Sequence, residues 1–150
     1  MSPYLPPQND AELFDAIERR LALMHTEDPS RVMAMLGARI ISVDFANRSA
    51  RFEYPLANWM LNAEDILHGG VLSAIFDNSM GTLTRSFTAK SSRTLNLQVS
   101  FTAPIALCEG AVRVESRLTN VTNRFSHLFA TAWGAAGTPA ATATAIFYLK

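Results

Sequence analysis

The sequence predicts an α+β fold in which one long central helix is wrapped by a curved antiparallel β-sheet. Apolar residues recur at helical spacing over residues 69–87 with few polar positions among them, which is typical of a buried helix. Apolar and polar residues alternate in a pair of segments before this helix and in four segments after it, as they do in β-strands. The connections between these segments are short, which favours antiparallel neighbours.

A helical segment precedes the sheet, and we expect residues 1–36 to form an extension packed on a main domain of residues 37–150. A proline-rich lead over residues 1–9 is followed by Asp10, the predicted N-cap of the first helix. A second, short helix is predicted over residues 28–37 and is expected to stop at its final glycine. The apolar residues of the first helix recur at helical spacing: Leu13, Phe14, Ile17, Leu21 and Met24.

The alternation of apolar and polar residues predicts where the strands lie. A β-hairpin is expected over residues 41–54, with its turn at residues 46–49. In its first strand Ile41, Val43 and Phe45 are expected to share one face. Four strands are predicted after the long helix, over residues 95–101, 112–118, 125–133 and 141–149.

Composition limits the classes of function. In a chain of 150 residues, 49% are hydrophobic and 17% are charged, which favours a single globular domain that covers part of its surface in an oligomer. The 13 basic and 13 acidic residues balance, so no net field attracts nucleic acid or a membrane. The single cysteine, Cys108, excludes an intrachain disulfide and is expected to be a packed thiol. Without a signal peptide or an apolar run of about 20 residues, the protein is expected to be soluble and cytoplasmic.

The strongest functional signal is the segment from Asn62 to Gly70, which ends in His-Gly-Gly at the start of the long helix. The backbone N–H of Gly69 would lie at the positive helix end and donate to a carbonyl oxygen that gains negative charge. Its missing Cβ would let a substrate approach closely. Asp77 interrupts the apolar run further along. Because burying a carboxylate is costly, we expect it to act as general base or nucleophile, the alternative being a structural pair with an arginine.

The spacing of these two groups predicts an oligomer. Gly69 and Asp77 are eight residues apart, and a rise of about 1.5 Å per residue separates them by about 12 Å along the helix. One carbonyl cannot contact both groups, since catalytic contacts are about 3 Å long. A two-fold dimer with antiparallel helices would bring Gly69 of one chain to Asp77 of the other, twice over. An isolated monomer is then expected to be inactive.

Three further residues have both a functional and a structural interpretation. Asn62 and Thr94 are candidates for orienting water or the acid through their polar side chains, although Thr94 is one of several threonines on its strand. His68 either transfers a proton or only satisfies backbone groups at the helix start. His25, His68 and His127 are scattered along the chain, so no metal site is expected.

With these residues the chain resembles the hot-dog-fold acyl-CoA thioesterases of the phenylacetate-pathway (PaaI-like) family, in which a sheet wraps a central helix. That family has Asn or Gln six residues before a His-Gly-Gly and an acid nine residues after the histidine. Asn62, His68 and Asp77 reproduce both spacings. The polar residue that the family carries at the start of the next strand corresponds to Thr94.

The resemblance covers residues 37–149 and implies hydrolysis of an acyl-CoA thioester to free acid and CoA, with no metal or redox cofactor. It also implies a site shared across a homodimer, and we expect two such dimers to form a tetramer. The chain departs from the family at Asp65-Ile66, where many members carry Gly-Thr, which leaves the substrate open. Around Gly70 an apolar acyl-binding tunnel is expected, lined by Trp59, Met60, Leu72 and Phe76.

Two other functions stay open. The same fold supports enoyl-thioester hydratases and dehydratases, although their His-Phe-Pro-Gly signature is absent from this chain. A non-catalytic acyl-CoA-binding oligomer is the second alternative, and the presence of Gly69 and Asp77 argues against it. Four basic residues are candidates for contacts with CoA phosphates, with ordinary solvation as the alternative: Arg85, Lys90, Arg93 and Arg124.

Overall fold

The computed structural model describes residues 5–150, so the start of the predicted proline-rich lead, residues 1–4, lies outside the described chain. Two short 3-10 helices, Asn58–Met60 and Leu107–Glu109, lie in connections between the main elements. The main elements are α1 (Asp10–Glu27), α2 (Val32–Met35), β1 (Arg39–Asp44), β2 (Ser49–Pro55), α3 (Gly69–Thr88), β3 (Ser92–Phe101), β4 (Ala111–Val121), β5 (Phe125–Trp133) and β6 (Pro139–Leu149).

The six strands form one antiparallel sheet in the order β1-β2-β4-β5-β6-β3. α3 lies against one face of this sheet and packs mainly on β4 and β3. The predicted α+β fold, with an antiparallel sheet around a central helix, is confirmed. Consecutive strands β3 and β4 are not neighbours, because β3 lies at the far edge and pairs with β6 alone among the described strands.

The hydrophobic core lies between α3 and the sheet. On α3, Ile75, Phe76 and Met80 are fully buried in one cluster with Phe52 of β2 and Val114 of β4. α1 joins the same core through three residues that are at most 4% exposed: Leu13, Ile17 and Leu21.

None of the described helices has the combination of length and hydropathy that crossing a bilayer requires.

The start of α1 differs from the prediction by one residue. Asn9 is the N-cap, and its side-chain oxygen accepts the N–H of Glu12 at 3.0 Å. The Glu12 carboxylate accepts a bond from the Asn9 amide at 2.9 Å in return. Asp10, the predicted cap, instead accepts the backbone N–H of Phe45 at 2.6 Å, which ties the start of α1 to the end of β1.

The second predicted helix is shorter than expected. It comprises only Val32–Met35, and a turn takes the place of its predicted first residues. The Asp28 carboxylate accepts both the N–H of Ser30 at 3.0 Å and its hydroxyl at 2.6 Å, and these bonds compete with a helical backbone. The same bonds hold the pKa of Asp28 below its ordinary value. Gly37 follows the helix with a φ of +63°, which a glycine adopts without strain.

The faces of β1 do not follow simple alternation. The register shifts between Ile40 and Ser42, which is the signature of a β-bulge. As a result Ile40 packs on the core, whereas Ile41 is 45% exposed. The expectation that Ile41 shares a face with Val43 and Phe45 is therefore wrong, while the latter two do pack on the core.

β3 contains a second bulge, between Thr94 and Asn96, which leaves Leu95 59% exposed. Phe101 at the end of this edge strand is 53% exposed. Cys108, expected to be a packed thiol, is exposed, because it lies in the short 3-10 helix of the surface connection after β3.

Candidate active site

Hydrogen bonds fix the His-Gly-Gly segment at the start of α3. The N–H of Leu67 donates to the carbonyl oxygen of Ile105 at 2.8 Å, and the N–H of His68 donates to that of Met60 at 2.9 Å. His68 is the N-cap of α3, and its Nδ1 accepts the N–H of Gly70 at 2.9 Å. In a neutral ring this bond leaves the proton on Nε2. The His68 side chain thus occupies the second N–H of the helix.

The first N–H of the helix, that of Gly69, is available for a ligand. As the first residue of α3, Gly69 has no partner for its N–H inside the helix. Within residues 5–150 this N–H has no acceptor outside the helix either. A cavity of about 450 Å³ adjoins it. Phe101 of β3 forms one wall of this cavity, since a Cβ added at Gly69 would lie 3.2 Å from the Phe101 Cζ. The sequence gives no signal for this contact beyond the alternation of β3.

Asn62 holds the turn before the motif and lines the same cavity. Its Oδ1 accepts the N–H of Glu64 at 2.9 Å and that of Ile66 at 3.3 Å, as in an Asx turn. Asp65, inside this turn, has a positive φ of 59°. In the described part of the chain the amide nitrogen of Asn62 has no partner, so it can donate into the cavity.

The acid predicted to act on the substrate is held by the threonine predicted to orient it. Asp77 is half-buried on α3, and the hydroxyl of Thr94 on β3 donates to its Oδ1 at 2.6 Å. The other carboxylate oxygen has no partner among residues 5–150. Asp77 and Thr94 also share a second cavity, of about 160 Å³, which is separate from the cavity at Gly69. The structure therefore brings these two candidate residues together.

Gly69 and Asp77 are not brought together within one chain. Both lie on the unbroken helix α3, eight residues apart, which corresponds to about 12 Å along its axis. Each adjoins its own cavity. A single carbonyl group therefore reaches either the N–H of Gly69 or the carboxylate of Asp77 of one chain, but not both.

The residues predicted to line an apolar tunnel separate into three environments. Leu72 lines the cavity at Gly69. Met60 and Phe76 lie in the core at 1% and 0% exposure, and Met60 contributes instead the carbonyl that holds His68. Trp59 is 46% exposed. Within one chain these residues do not form a continuous channel, and their contact with a substrate stays a prediction.

A buried polar network next to Asp77 is not apparent in the sequence. The hydroxyl of Tyr54 donates to Asn78 Oδ1 at 2.7 Å, and the Asn78 amide donates to the sulfur of Met33 at 2.7 Å. Burial raises the pKa of Tyr54 above its ordinary range, so the phenol stays a neutral donor. This network links α3 to β2 and to α2, and so fixes the helix turn that carries Asp77.

The antiparallel sheet wrapped around one long helix is the hot-dog fold. The sequence profile of the thioesterase superfamily matches residues 64–141, more than half of the chain. The chain therefore belongs to the thioesterase superfamily, and its activity class is thioester hydrolysis. No curated protein sequence matches it.

Solved structures agree with this membership. A Ralstonia eutropha protein described as a candidate thioesterase related to phenylacetic acid degradation is 28% identical, with a TM-score of 0.75 over 89% of this chain and 98% of that one. The Escherichia coli PaaI protein of the phenylacetic acid degradation operon is 16% identical, with a TM-score of 0.77 over 92% and 96% of the two chains. A Pseudomonas aeruginosa thioesterase, 14% identical, gives a TM-score of 0.76 over 88% and 92%. The latter two establish the shared hot-dog fold.

Proposed function

We propose that the protein hydrolyses an acyl-CoA thioester to a free acid and CoA, at a site built by two copies of the chain. The observation that carries the proposal is the division of α3, which presents an available N–H at Gly69 and a carboxylate at Asp77 about 12 Å away. A hydrolase needs a donor for the carbonyl oxygen and a base or nucleophile for the carbonyl carbon. α3 supplies one of each, too far apart to serve one substrate alone.

In the proposed reaction the Gly69 N–H donates to the thioester oxygen and stabilises the negative charge that forms on it. Asp77 of the other chain removes a proton from water, whose oxygen bonds to the carbonyl carbon. The tetrahedral intermediate then expels the CoA thiolate, which takes up a proton to give the free thiol. Alternatively, Asp77 itself attacks the carbon and displaces the CoA thiolate, which takes up a proton, and water then hydrolyses the mixed anhydride to the free acid and the Asp77 carboxylate.

Thr94 is the positioning residue in this proposal. Its hydroxyl occupies Asp77 Oδ1, which directs the other carboxylate oxygen to water or to the carbonyl carbon. Asn62 lies beside Gly69 and can donate its unpartnered amide N–H to the thioester or to the attacking water. Neither His68 Nδ1 nor the Gly70 N–H can contact the substrate while they bond each other.

The edge strand β3 supports the dimer on which the proposal depends. Within the described residues of one chain, the outer edge of β3 has no pairing strand, and Leu95 and Phe101 along it are 59% and 53% exposed. Long edge strands with exposed apolar side chains favour pairing with another strand. A second copy across this edge would cover both residues, and it would also bring a second Asp77 into reach of Gly69. We further propose that two such dimers assemble into the active tetramer.

Thiol release from a panel of aromatic and aliphatic acyl-CoA thioesters tests the activity. We expect the wild type to release thiol and Asp77→Asn to lose about 10²–10⁴-fold in rate, the usual contribution of a general base. Asp15→Asn is the matched control, since Asp15 is exposed on α1 and lies outside the cavities at Gly69 and Asp77. Size-exclusion chromatography checks that the oligomer is retained.

The same panel separates the alternatives. Hydration of enoyl-CoA without thiol release would favour a hydratase on the same fold. Binding of acyl-CoA without any turnover would favour a non-catalytic binding protein. Full activity in Asp77→Asn would contradict the proposed role of the acid.

A further inference from the structure

The cavity next to Asp77 has a polar end that the proposed reaction does not use. This cavity, about 160 Å³ in volume, is lined at one end by Asp77 and Thr94 and elsewhere by Thr82 and Arg85. Gly81 lies between them and, having no side chain, leaves room in the cavity next to Phe147, 3.3 Å from where its Cβ would be. We propose that this cavity holds the acyl group and that its far end selects acyl groups that terminate in a carboxylate.

Thr82 provides the first observation. Its side chain is 1% exposed, and its hydroxyl has no hydrogen-bond partner among the described residues. An unsatisfied buried hydroxyl costs about 1–3 kcal/mol, so a residue of this kind usually has a bound partner. Thr82 lines the cavity, and a rotation about its χ1 angle would bring the hydroxyl, which is closed to water in this structure, into reach of a ligand oxygen there.

Arg85 provides the second observation. Its Nε donates to the Ser92 hydroxyl at 3.1 Å and its Nη2 to the Ser92 carbonyl oxygen at 2.7 Å, which fixes the guanidinium in place. No carboxylate of residues 5–150 forms an ion pair with it. A half-buried, immobilised arginine without an anionic partner still has N–H donors to offer.

The arrangement along α3 sets the length of the acyl group. Arg85 is eight residues beyond Asp77, about 12 Å along the axis, and side chains of a helix lean back towards its start, which shortens the gap. The cavity is also lined by Met24 and Met33 of the N-terminal helices, which supply apolar surface. A short chain of methylene groups matches this apolar surface, with the thioester carbon next to Asp77.

A carboxylate fits the far end better than an alcohol does. Thr82 and Arg85 supply hydrogen-bond donors at the far end of the cavity, and a carboxylate accepts hydrogen bonds without donating one. The negative charge of the carboxylate also pairs with the Arg85 guanidinium, which forms no ion pair with a carboxylate of the described residues. Such charge-assisted hydrogen bonds are stronger than neutral ones. This inference rests on the proposed function, since it identifies the substrate class of the same site. Thr82 and Arg85 are then specificity-determining residues.

Matched substrates test the inference. We compare kcat/KM for glutaryl-CoA with that for its isostere in which an isopropyl group replaces the carboxylate, using free thiol detection. Wild-type enzyme is expected to prefer the carboxylate by about tenfold or more, the value of one charge-assisted bond. Thr82→Val and Arg85→Met are expected to remove most of this preference, with Thr82→Ser restoring it. Arg39→Met is the control for lost charge, because Arg39 on β1 is exposed and lies outside the cavity.

A binding measurement separates this inference from the proposed function. Calorimetric titration with free glutarate is expected to show binding to the wild type that Thr82→Val and Arg85→Met each weaken about tenfold. Thiol release at equal rates from both substrates, or a preference unchanged in both variants, would overturn the inference and leave the thioesterase standing. Glutarate binding that depends on Thr82 and Arg85, without thiol release from any acyl-CoA, would support the carboxylate site and reject the proposed hydrolysis.

Discussion

At the scale of single residues, the proposed role of Gly69 depends on one backbone hydrogen, which Gly69→Pro would remove. Proline is tolerated at the first position of a helix, and His68 before it already has an extended ψ of 131°. We therefore expect α3 to persist and kcat for thiol release to fall about 10²–10³-fold, the usual effect of losing one oxyanion donor. Steady-state kinetics, with circular dichroism to check helix content, measures both.

Gly69→Ala is the matched control for this change. It keeps the N–H but adds the same Cβ, which would lie 3.2 Å from the Phe101 ring. The contact is with the far end of a side chain, and the Phe101 ring has to move by only a few tenths of an ångström. If alanine lowers the rate as much as proline does, crowding of the cavity rather than a lost donor explains the effect, and the role proposed for the Gly69 N–H is wrong.

Residues of the candidate site could be predicted from the sequence to different degrees. Asp77 stands out because an acid in an apolar helix is a local pattern, whereas Thr94 is one of several threonines on its strand and is distinguished from them only by the family resemblance. The structure joins the two side chains at 2.6 Å. Tyr54 and Asn78 do not stand out. Their bond crosses 24 positions of sequence and depends on how β2 packs under α3, which no local pattern encodes.

At the scale of elements, α1 is expected to contribute to the stability of the whole domain, although the sequence suggests only an added segment. Ile17 is fully buried in the core shared with α3. Ile17→Ala should lower the free energy of unfolding by about 2–5 kcal/mol, as expected for a truncated core side chain. Urea denaturation at an unchanged m-value measures this, with the exposed neighbour Glu18→Ala as control. Equal midpoints for the two variants would mean that α1 does not belong to the cooperative core.

The elements whose sequence prediction fails are those with irregular or edge positions. Alternation identifies β1 and β3 as strands, but the bulges that expose Ile41 and Leu95 insert one residue into the pattern, and a period of two does not reveal where. The position of β3 at the edge, beside β6, is likewise set by the whole sheet rather than by the short connection to β4. α3 was predictable in type and extent, because a long run with apolar residues at helical spacing has few other solutions.

At the scale of the whole molecule, the length of α3 and the open edge of β3 point to the same assembly. The helix separates the two groups proposed as catalytic by about 12 Å, so under the proposed function a second chain has to complete each site. The edge strand offers a surface on which a second chain can pair, with exposed Leu95 and Phe101 along it. A two-fold axis beside β3 would make both features serve one dimer, and each dimer would then carry two composite sites.

Mixing two inactive variants tests whether the site is shared. Chains with Gly69→Pro lack the donor and keep Asp77, and chains with Asp77→Asn lack the acid and keep the donor. In a mixed dimer one site combines the intact Gly69 of one chain with the intact Asp77 of the other, while the second site lacks both. With free exchange of equal amounts, half of the dimers are mixed, so about a quarter of the wild-type rate should return.

Native mass spectrometry shows whether the chains have exchanged, and a double variant carrying both changes on one chain provides the control. When the double variant is mixed with wild type, both composite sites of every mixed dimer are inactive, because one site lacks the Gly69 N–H and the other lacks the Asp77 carboxylate. The total rate should therefore fall to about half that of the same amount of wild type alone. A site contained within one chain gives the opposite pattern: no activity returns when the two single variants exchange, and the double variant leaves the wild-type chains at full rate. These two measurements decide between a shared and a self-contained site without reference to which acyl-CoA is used.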